Sequence, residues 1–397
     1  MNEFPKKLVK RLDGRVNTNS LRKLFVKNNL VDFSSNDYLG FSKSEIIFQK
    51  AHRFLIDNSL QQNGATGSRL LSGNHDLHEK VEAELAVFYK ATSALVFNSG
   101  YDANIGFFSS VPQRGDIILY DELIHASIRD GIRLSNAKAF SFKHNDLEDL
   151  ESKILRQAQN DSLSHDEQRS PSGVEASRKE IYIVTESVFS MDGDSPDLIA
   201  MAQLCKENSV HFIVDEAHAV GIFGENGCGL IQQLKLEEEV FARIITFGKG
   251  LGCHGAAILG SVQLKEYLIN FARSFIYTTA LPPHSLATIL VAHLELKRTN
   301  EIQKLEKNIQ FFKSEINRLN LQQHFIESNT AIHCCMISGN EKVKTIAQRF
   351  QEKGFDVKPI LSPTVPKEQE RLRICLHSYN TKEEIKEVLK LLTTFVN

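Results

Sequence analysis

The chain has 397 residues, 42% of them hydrophobic and 24% charged, with a formal net charge of -2. That composition is ordinary for a soluble globular protein with a large core, and the near-neutral charge gives no electrostatic basis for a nucleic-acid partner. No apolar stretch reaches the length of a membrane span, and the opening Met1-Asn2-Glu3-Phe4-Pro5-Lys6-Lys7 lacks the apolar core of a signal peptide, so a cytoplasmic protein without a membrane partner is expected.

The first stretch, to about residue 29, is polar and helix-prone and reads as an arm. A short strand is predicted over 30–33, followed by Ser34-Ser35-Asn36-Asp37-Tyr38-Leu39-Gly40, which is dense in turn residues. His75 and His78 belong to the start of a helix that runs on through 79–88. From there apolar, β-rich runs recur at 93–97, 117–120, 139–142, 181–185, 211–214, 243–247 and 256–260. Helix-like stretches, such as 194–208, separate most of them. This alternation predicts an α/β domain around a mainly parallel sheet. Residues 156–179 are almost all polar with no apolar period, and an exposed, mobile insertion is expected there. Beyond about residue 283 the character changes. A long helical stretch covers 284–318, strands are predicted at 331–337, 356–360 and 372–376, and an amphipathic helix closes the chain over 382–395. The expected organisation is an N-terminal arm (1–45), a large domain (46–283) and a small α+β domain (284–397). None of the six cysteines forms a C-x-x-C pair and no spacing suggests zinc, so free thiols and no metal site are expected.

Ligands of such sheets sit beyond the C-terminal strand ends, and the candidate residues fall there. Asn98-Ser99-Gly100-Tyr101 follows one strand and opens a helix, where free N–H groups would hold a phosphate; an ordinary strand-to-helix turn is the alternative. Tyr120 to Ser127 places His125 after the next strand, to stack on an aromatic ring or simply to cap a helix. Glu186 to Asp194 adds a carboxylate and, at Ser190, a hydroxyl. Asp215-Glu216-Ala217-His218 ends an apolar strand. An acidic cluster there would suit magnesium in a nucleotide site, but no G-x-x-x-x-G-K-[ST] loop accompanies it. About thirty residues on comes Thr246-Phe247-Gly248-Lys249-Gly250-Leu251-Gly252. A lysine that forms an imine with pyridoxal phosphate (PLP), and an aspartate that keeps the pyridine nitrogen protonated, are the two groups this cofactor needs.

Taken in order from Asn36-Asp37-Tyr38-Leu39-Gly40 to Leu372-Arg373-Ile374-Cys375-Leu376, these motifs resemble those of the α-oxoamine synthases, PLP enzymes of the type I aminotransferase fold. The resemblance spans nearly the whole chain. It implies a mainly parallel seven-stranded large domain, a smaller α+β C-terminal domain, and a homodimer with active sites at the subunit interface. Lys249 would carry the cofactor and move the Cα proton, Asp215 would bind the ring nitrogen, His218 the ring hydroxyl, and His125 would stack on the ring. Ser190, Thr246 and Glu186 would line the cofactor, with Gly100 and Tyr101 near its phosphate. Asn36 and Arg373 would hold the amino-acid carboxylate, Arg22 and Thr364 would contact the acyl substrate, and Thr278 or Thr279 would reach the neighbouring subunit's phosphate. The implied reaction joins an amino acid to an acyl thioester with loss of CO2. The runs 33–40, 246–250, 271–279 and 362–366 favour the branch using L-alanine and a pimeloyl thioester over those using glycine or serine, although Leu361-Ser362 stands where that branch often has Arg-Pro.

Overall fold

The computed structural model describes residues 4–22, 24, 29–167 and 179–396, which fall into two compact units. Leu39–Phe189 and Ser195–Ile302 make the larger, and Met1–Tyr38, Ser190–Asp194 and Gln303–Asn397 make the smaller. In chain order the strands are β1 (Val31–Asp32), β2 (Ser93–Phe97), β3 (Ile117–Asp121), β4 (Lys138–Phe142), β5 (Ile181–Glu186), β6 (His211–Asp215), β7 (Ala242–Thr246), β8 (Ala256–Gly260), β9 (Ile332–Met336), β10 (Phe355–Asp356), β11 (Lys358–Ile360) and β12 (Arg371–Cys375).

The larger unit is built on a seven-stranded sheet of order β2-β8-β7-β6-β5-β3-β4. β8 is antiparallel to both neighbours and every other pair is parallel. Successive strand residues point to opposite faces. Ile118, Val184, Ile213 and Ile244 pack with Phe107, Phe108 and Ile128 on one side. Ile117, Leu119, Ile183, Phe212 and Val214 join Leu150, Met201 and Cys205 on the other. Where both faces are covered, as along β2, β3, β5 and β6, the strands appear in the sequence as largely apolar runs; the edge strand β4 is mostly exposed. Each such side chain contributes about 1.5–3 kcal/mol of burial. Phe97 and Thr246 both lie opposite Ala256, so β2 and β7 end at one edge of the sheet. Glu186 is in register with Asp215 at that same edge.

In the smaller unit β11, β12 and β9 form an antiparallel sheet in that order, and β1 pairs parallel with β10. Helices Asn340–Glu352 and Lys382–Val396 bury Val343, Ile346, Ala347 and Phe350, and Ile385, Val388, Leu389 and Leu392, at helical spacing. Helix Lys6–Asn17 occupies the expected arm.

Several elements differ from the sequence reading. The polar segment from 156 does not begin a loop: helix Leu147–Glu167 runs on into it. Arg, Gln and Ala are good helix formers, so a helix can continue through a segment without an apolar period. The rest of that expectation, 168–178, lies outside the described residues. The stretch 284–318 is two helices, Pro283–Leu296 and Glu301–Arg318, and Thr299 Oγ1 accepts the Glu301 N–H at 3.1 Å to cap the second. The helix predicted from 194 starts at Leu198, where Asp197 caps it by accepting from Ala200 N–H. Residues 355–360 divide between two sheets, β10 on β1 and β11 on β12.

Candidate active site

Lys249 stands on the loop that joins β7 to β8. The hairpin is closed by Phe247 N–H to Gly255 O at 2.9 Å, Cys253 N–H to Phe247 O at 2.7 Å and Gly252 N–H to Lys249 O at 2.8 Å. Two of its glycines are required by packing. A Cβ at Gly250 would lie 2.6 Å from Val220 O, and one at Gly252, where φ is +60°, would run into the Ser42 backbone nitrogen. The loop therefore presents Lys249 by pressing its backbone onto neighbouring segments. Lys249 Nζ lies 2.8 Å from His218 Nε2, and His218 is buried. An ammonium has donors only, so with Lys249 charged the imidazole Nε2 is the acceptor.

Asp215 ends β6 and is buried. Its Oδ1 accepts from Ala217 N–H at 2.9 Å and its Oδ2 from Asn104 Nδ2 at 2.9 Å. A carboxylate offers about four lone-pair sites, so capacity remains for a further cationic donor. Glu186, beside it on β5, is buried, and its Oε1 has no hydrogen-bond partner among the described residues. Burial first, and then repulsion from Asp215, raises its pKa to about 8, so it is largely protonated at neutral pH. His125 precedes helix Ala126–Leu134 and caps it, taking Ser127 N–H on Nδ1 at 3.2 Å. His125 is exposed, yet desolvation by neighbouring protein outweighs the pull of Asp215 and holds its pKa below the ordinary value.

The loop after β2 leads into helix Gly100–Ser110. Ser99 Oγ caps it through Asp102 N–H at 3.0 Å, while Asn98 Nδ2 reaches Thr278 Oγ1 at 2.9 Å and Thr279 O at 2.6 Å. A Cβ at Gly100 would lie 2.5 Å from the Thr246 methyl, so glycine lets this helix start pack directly against the end of β7. The N–H groups of Gly100 and Tyr101 precede the first intrahelical bond, from Ala103 N–H to Ser99 O. Tyr101 itself is half exposed and donates its hydroxyl proton to Asp130 Oδ2 at 2.9 Å.

Two contributors were not assigned a role from the sequence. Asn104 links Asp215 to Ser127. Arg243 and Glu216, both buried, pair through Nε–Oε2 at 2.8 Å and Nη2–Oε2 at 2.5 Å and fix the backbone next to Asp215. The signal available for both was a polar residue in an otherwise apolar buried run.

The remaining expected residues belong to the smaller unit. Arg373, on β12 and buried, donates to Ser190 O at 2.7 Å and to Asn36 Oδ1 at 3.0 Å, so it brings together three of the expected positions. Thr364 is exposed in the loop after β11, its N–H on Leu361 O at 2.8 Å, and Arg22 is exposed in the N-terminal segment. Among the described residues of that unit, no hydrogen bond links either of them to Arg373. All six cysteines are free thiols.

The residues of the larger unit fit PLP. They provide a primary amine on a fixed loop, a buried carboxylate with spare acceptor capacity, a partnerless carboxyl oxygen at Glu186 and, at a helix start, the N–H groups of Gly100 and Tyr101 for a phosphate.

The profile of the aminotransferase class I and II family matches residues 28–392. The 8-amino-7-oxononanoate synthase of Emericella nidulans is 40% identical over 387 residues, covering 92% of this chain and 89% of that one. The crystal structure of 8-amino-7-oxononanoate synthase from Francisella tularensis superposes with a TM-score of 0.75 at 29% identity, over 93% and 98% of the two chains. Serine palmitoyltransferase from S. paucimobilis, solved with bound PLP–myriocin, superposes with a TM-score of 0.82 at 25% identity, over 98% and 96%.

Proposed function

The chain belongs to the aminotransferase class I and II family, and we propose that it catalyses the reaction of the 8-amino-7-oxononanoate synthases. In that reaction L-alanine condenses with a pimeloyl thioester: a bond forms between the alanine Cα and the thioester carbonyl carbon, the C–S bond breaks to release the thiol, the alanine carboxylate leaves as CO2, and a proton returns to Cα. The observation that carries the chemistry is Lys249 Nζ, 2.8 Å from His218 Nε2 on a loop braced by glycines, in a unit whose sheet edge ends in Asp215. The substrate pair rests on the likeness to curated enzymes of that name.

The cofactor is PLP, which when bound supplies a ring able to accept the electron pair released at the substrate Cα. Lys249 would be its point of attachment, Asp215 would hold its ring nitrogen, His125 its ring face, and Gly100 and Tyr101 its phosphate, with Thr246, Glu186 and Ser190 alongside. Lys249 Nζ takes the Cα proton and later returns it. His218 Nε2 orients that nitrogen by accepting one of its hydrogens. Asn104 and Ala217, by donating to the Asp215 carboxylate, would orient it toward the ring nitrogen. Arg373, with Asn36 against its guanidinium, would hold the amino-acid carboxylate. Thr364 and Arg22 would contact the acyl chain; Leu361 and Ser362 offer no cation for its terminal carboxylate. No described helix is long and apolar enough to cross a membrane. A cytoplasmic homodimer, with Thr278 or Thr279 serving the partner's phosphate site, completes the reading.

The structural likeness to serine palmitoyltransferase favours one second reading, serine with a long-chain acyl thioester. The test is kcat/KM for alanine with pimeloyl-CoA against serine with palmitoyl-CoA and glycine with acetyl-CoA or succinyl-CoA, together with rescue of a biotin auxotroph lacking this step. The alanine methyl is worth only about 1–3 kcal/mol of discrimination, so slow glycine turnover is expected. Rescue failure with serine or glycine ahead by tenfold would leave the family standing and remove the substrate pair.

A further inference from the structure

Helices Gly100–Ser110 and Ala126–Leu134 cross closely at Gly131, where a Cβ would lie 2.8 Å from Asn104 O and 2.9 Å from Phe108 Cβ. That crossing sets Asn104 and Ser127 side by side, 2% and 1% exposed. The amide nitrogen of Asn104 has two hydrogens, and each has an acceptor: Asp215 Oδ2 at 2.9 Å and Ser127 Oγ at 3.0 Å. Turned over, the amide would set its oxygen against an anionic carboxylate, so Asp215 fixes its orientation. Ser127 Oγ, accepting from Asn104, is left to donate its own hydrogen to His125 Nδ1 at 2.7 Å. The same Nδ1 takes Ser127 N–H at 3.2 Å. A nitrogen that receives two donors carries no proton, so the neutral ring of His125 has its hydrogen on Nε2.

We propose that Asn104 is a positioning residue for the reaction: one amide group orients the Asp215 carboxylate and, through the Ser127 hydroxyl, fixes the tautomer and tilt of the His125 ring. The carboxylate that would hold the cofactor's ring nitrogen and the imidazole that would cover its face are thereby set by a single side chain. The inference rests on that reading of Asp215 and His125 but not on the identity of either substrate. Asn104 touches neither substrate nor cofactor in this role; it acts through two residues that do.

The test uses Asn104→Leu, close in volume and without donors, Ser127→Ala, and the pair together. Histidine ring nitrogens are 15N-labelled and His125 is assigned by loss of its signals in His125→Gln. Wild-type protein is expected to show the Nε2–H tautomer alone, and both single variants a mixture. PLP titration of the apoenzyme is expected to show affinity about tenfold weaker for Asn104→Leu, the loss of one hydrogen bond to a charged group. Ser127→Ala, which keeps the bond to Asp215, should lose less. The double variant should be little worse than Asn104→Leu, because one network is broken twice. A general packing defect would lower Tm without moving the His125 signals. Unchanged His125 signals in both variants, or PLP affinity within twofold of wild type in Asn104→Leu, would overturn the proposal. Should Asn104→Leu not fold, the His125 signals of Ser127→Ala decide alone. If these readouts respond while alanine with pimeloyl-CoA is not turned over, the substrate reading falls and this inference stands.

Discussion

Removing Arg243 alone should cost the fold more than removing Arg243 and Glu216 together. Both are buried in the larger unit, and Glu216 is 0% exposed. Arg243 donates twice to Glu216 Oε2, once to Tyr89 O at 2.8 Å and once to Cys228 O at 3.0 Å; Glu216 Oε1 takes Ile231 N–H at 3.0 Å. Arg243→Met leaves a desolvated carboxylate with that single donor, and breaking such a pair typically costs about 3–5 kcal/mol. At about 2–4 °C per kcal/mol for a unit of 150–250 residues, the expected fall in Tm is about 6–20 °C. In Arg243→Met/Glu216→Leu no charge is stranded. Tyr89 O and Cys228 O lose their Arg243 donor in both variants, and only Ile231 N–H is newly unpartnered, at about 1–3 kcal/mol against the cost of the broken ion pair, so the double variant should melt above the single one. The assay is thermal unfolding at one fixed, saturating PLP concentration, since ligand binding itself shifts Tm. PLP affinity of the single variant should also fall, because Glu216 is the residue after Asp215. A Tm for Arg243→Met within about 2 °C of wild type, or a double variant that melts no higher than the single, would refute the reasoning.

Lys249→Ala should fold normally but lose both turnover and borohydride-fixed PLP; a fixed adduct that survives in this variant would move the attachment to another lysine. Asp215→Asn should still bind PLP while Cα-hydrogen exchange of alanine in D2O drops at least tenfold, from loss of a charge-assisted bond worth about 1.5–3 kcal/mol; normal exchange would remove its role. His293 is buried neutral, with Nδ1 on Ile289 O at 2.7 Å and Nε2 on the Tyr89 hydroxyl at 3.0 Å, and burial pushes its pKa down to about 4. The unfolded chain takes up that proton at an ordinary value near 6.5, so it binds more protons than the fold as pH drops, and stability should fall from about pH 6.5 towards 4. His293→Gln should flatten the Tm–pH slope in that window, and parallel curves would exclude the contribution.

The parts legible in the sequence were those in which chemistry and position lie close along the chain. Most strands of the large sheet showed as apolar runs because both faces are covered there, and Asp215 and Lys249 were singled out because each follows closely on such a run. What was not legible depends on residues distant in sequence or on local capping. A break in a helical pattern at Thr299 turns on one hydroxyl finding one N–H, which periodicity does not register. Asn104 is 111 residues from Asp215 and 23 from Ser127, and only the close crossing at Gly131 makes it a bridge. Arg243 is the more instructive case. A guanidinium in a strand with partners on both sides has to find a carboxylate, since an unpaired buried charge is too costly to keep. The Asp215-Glu216 pair lay on the neighbouring strand end with two carboxylates to share. With Glu216 paired to Arg243, Asp215 is the acid to which the proposed cofactor role falls, and that proposed division of labour between two adjacent acids follows from where the buried cation stands.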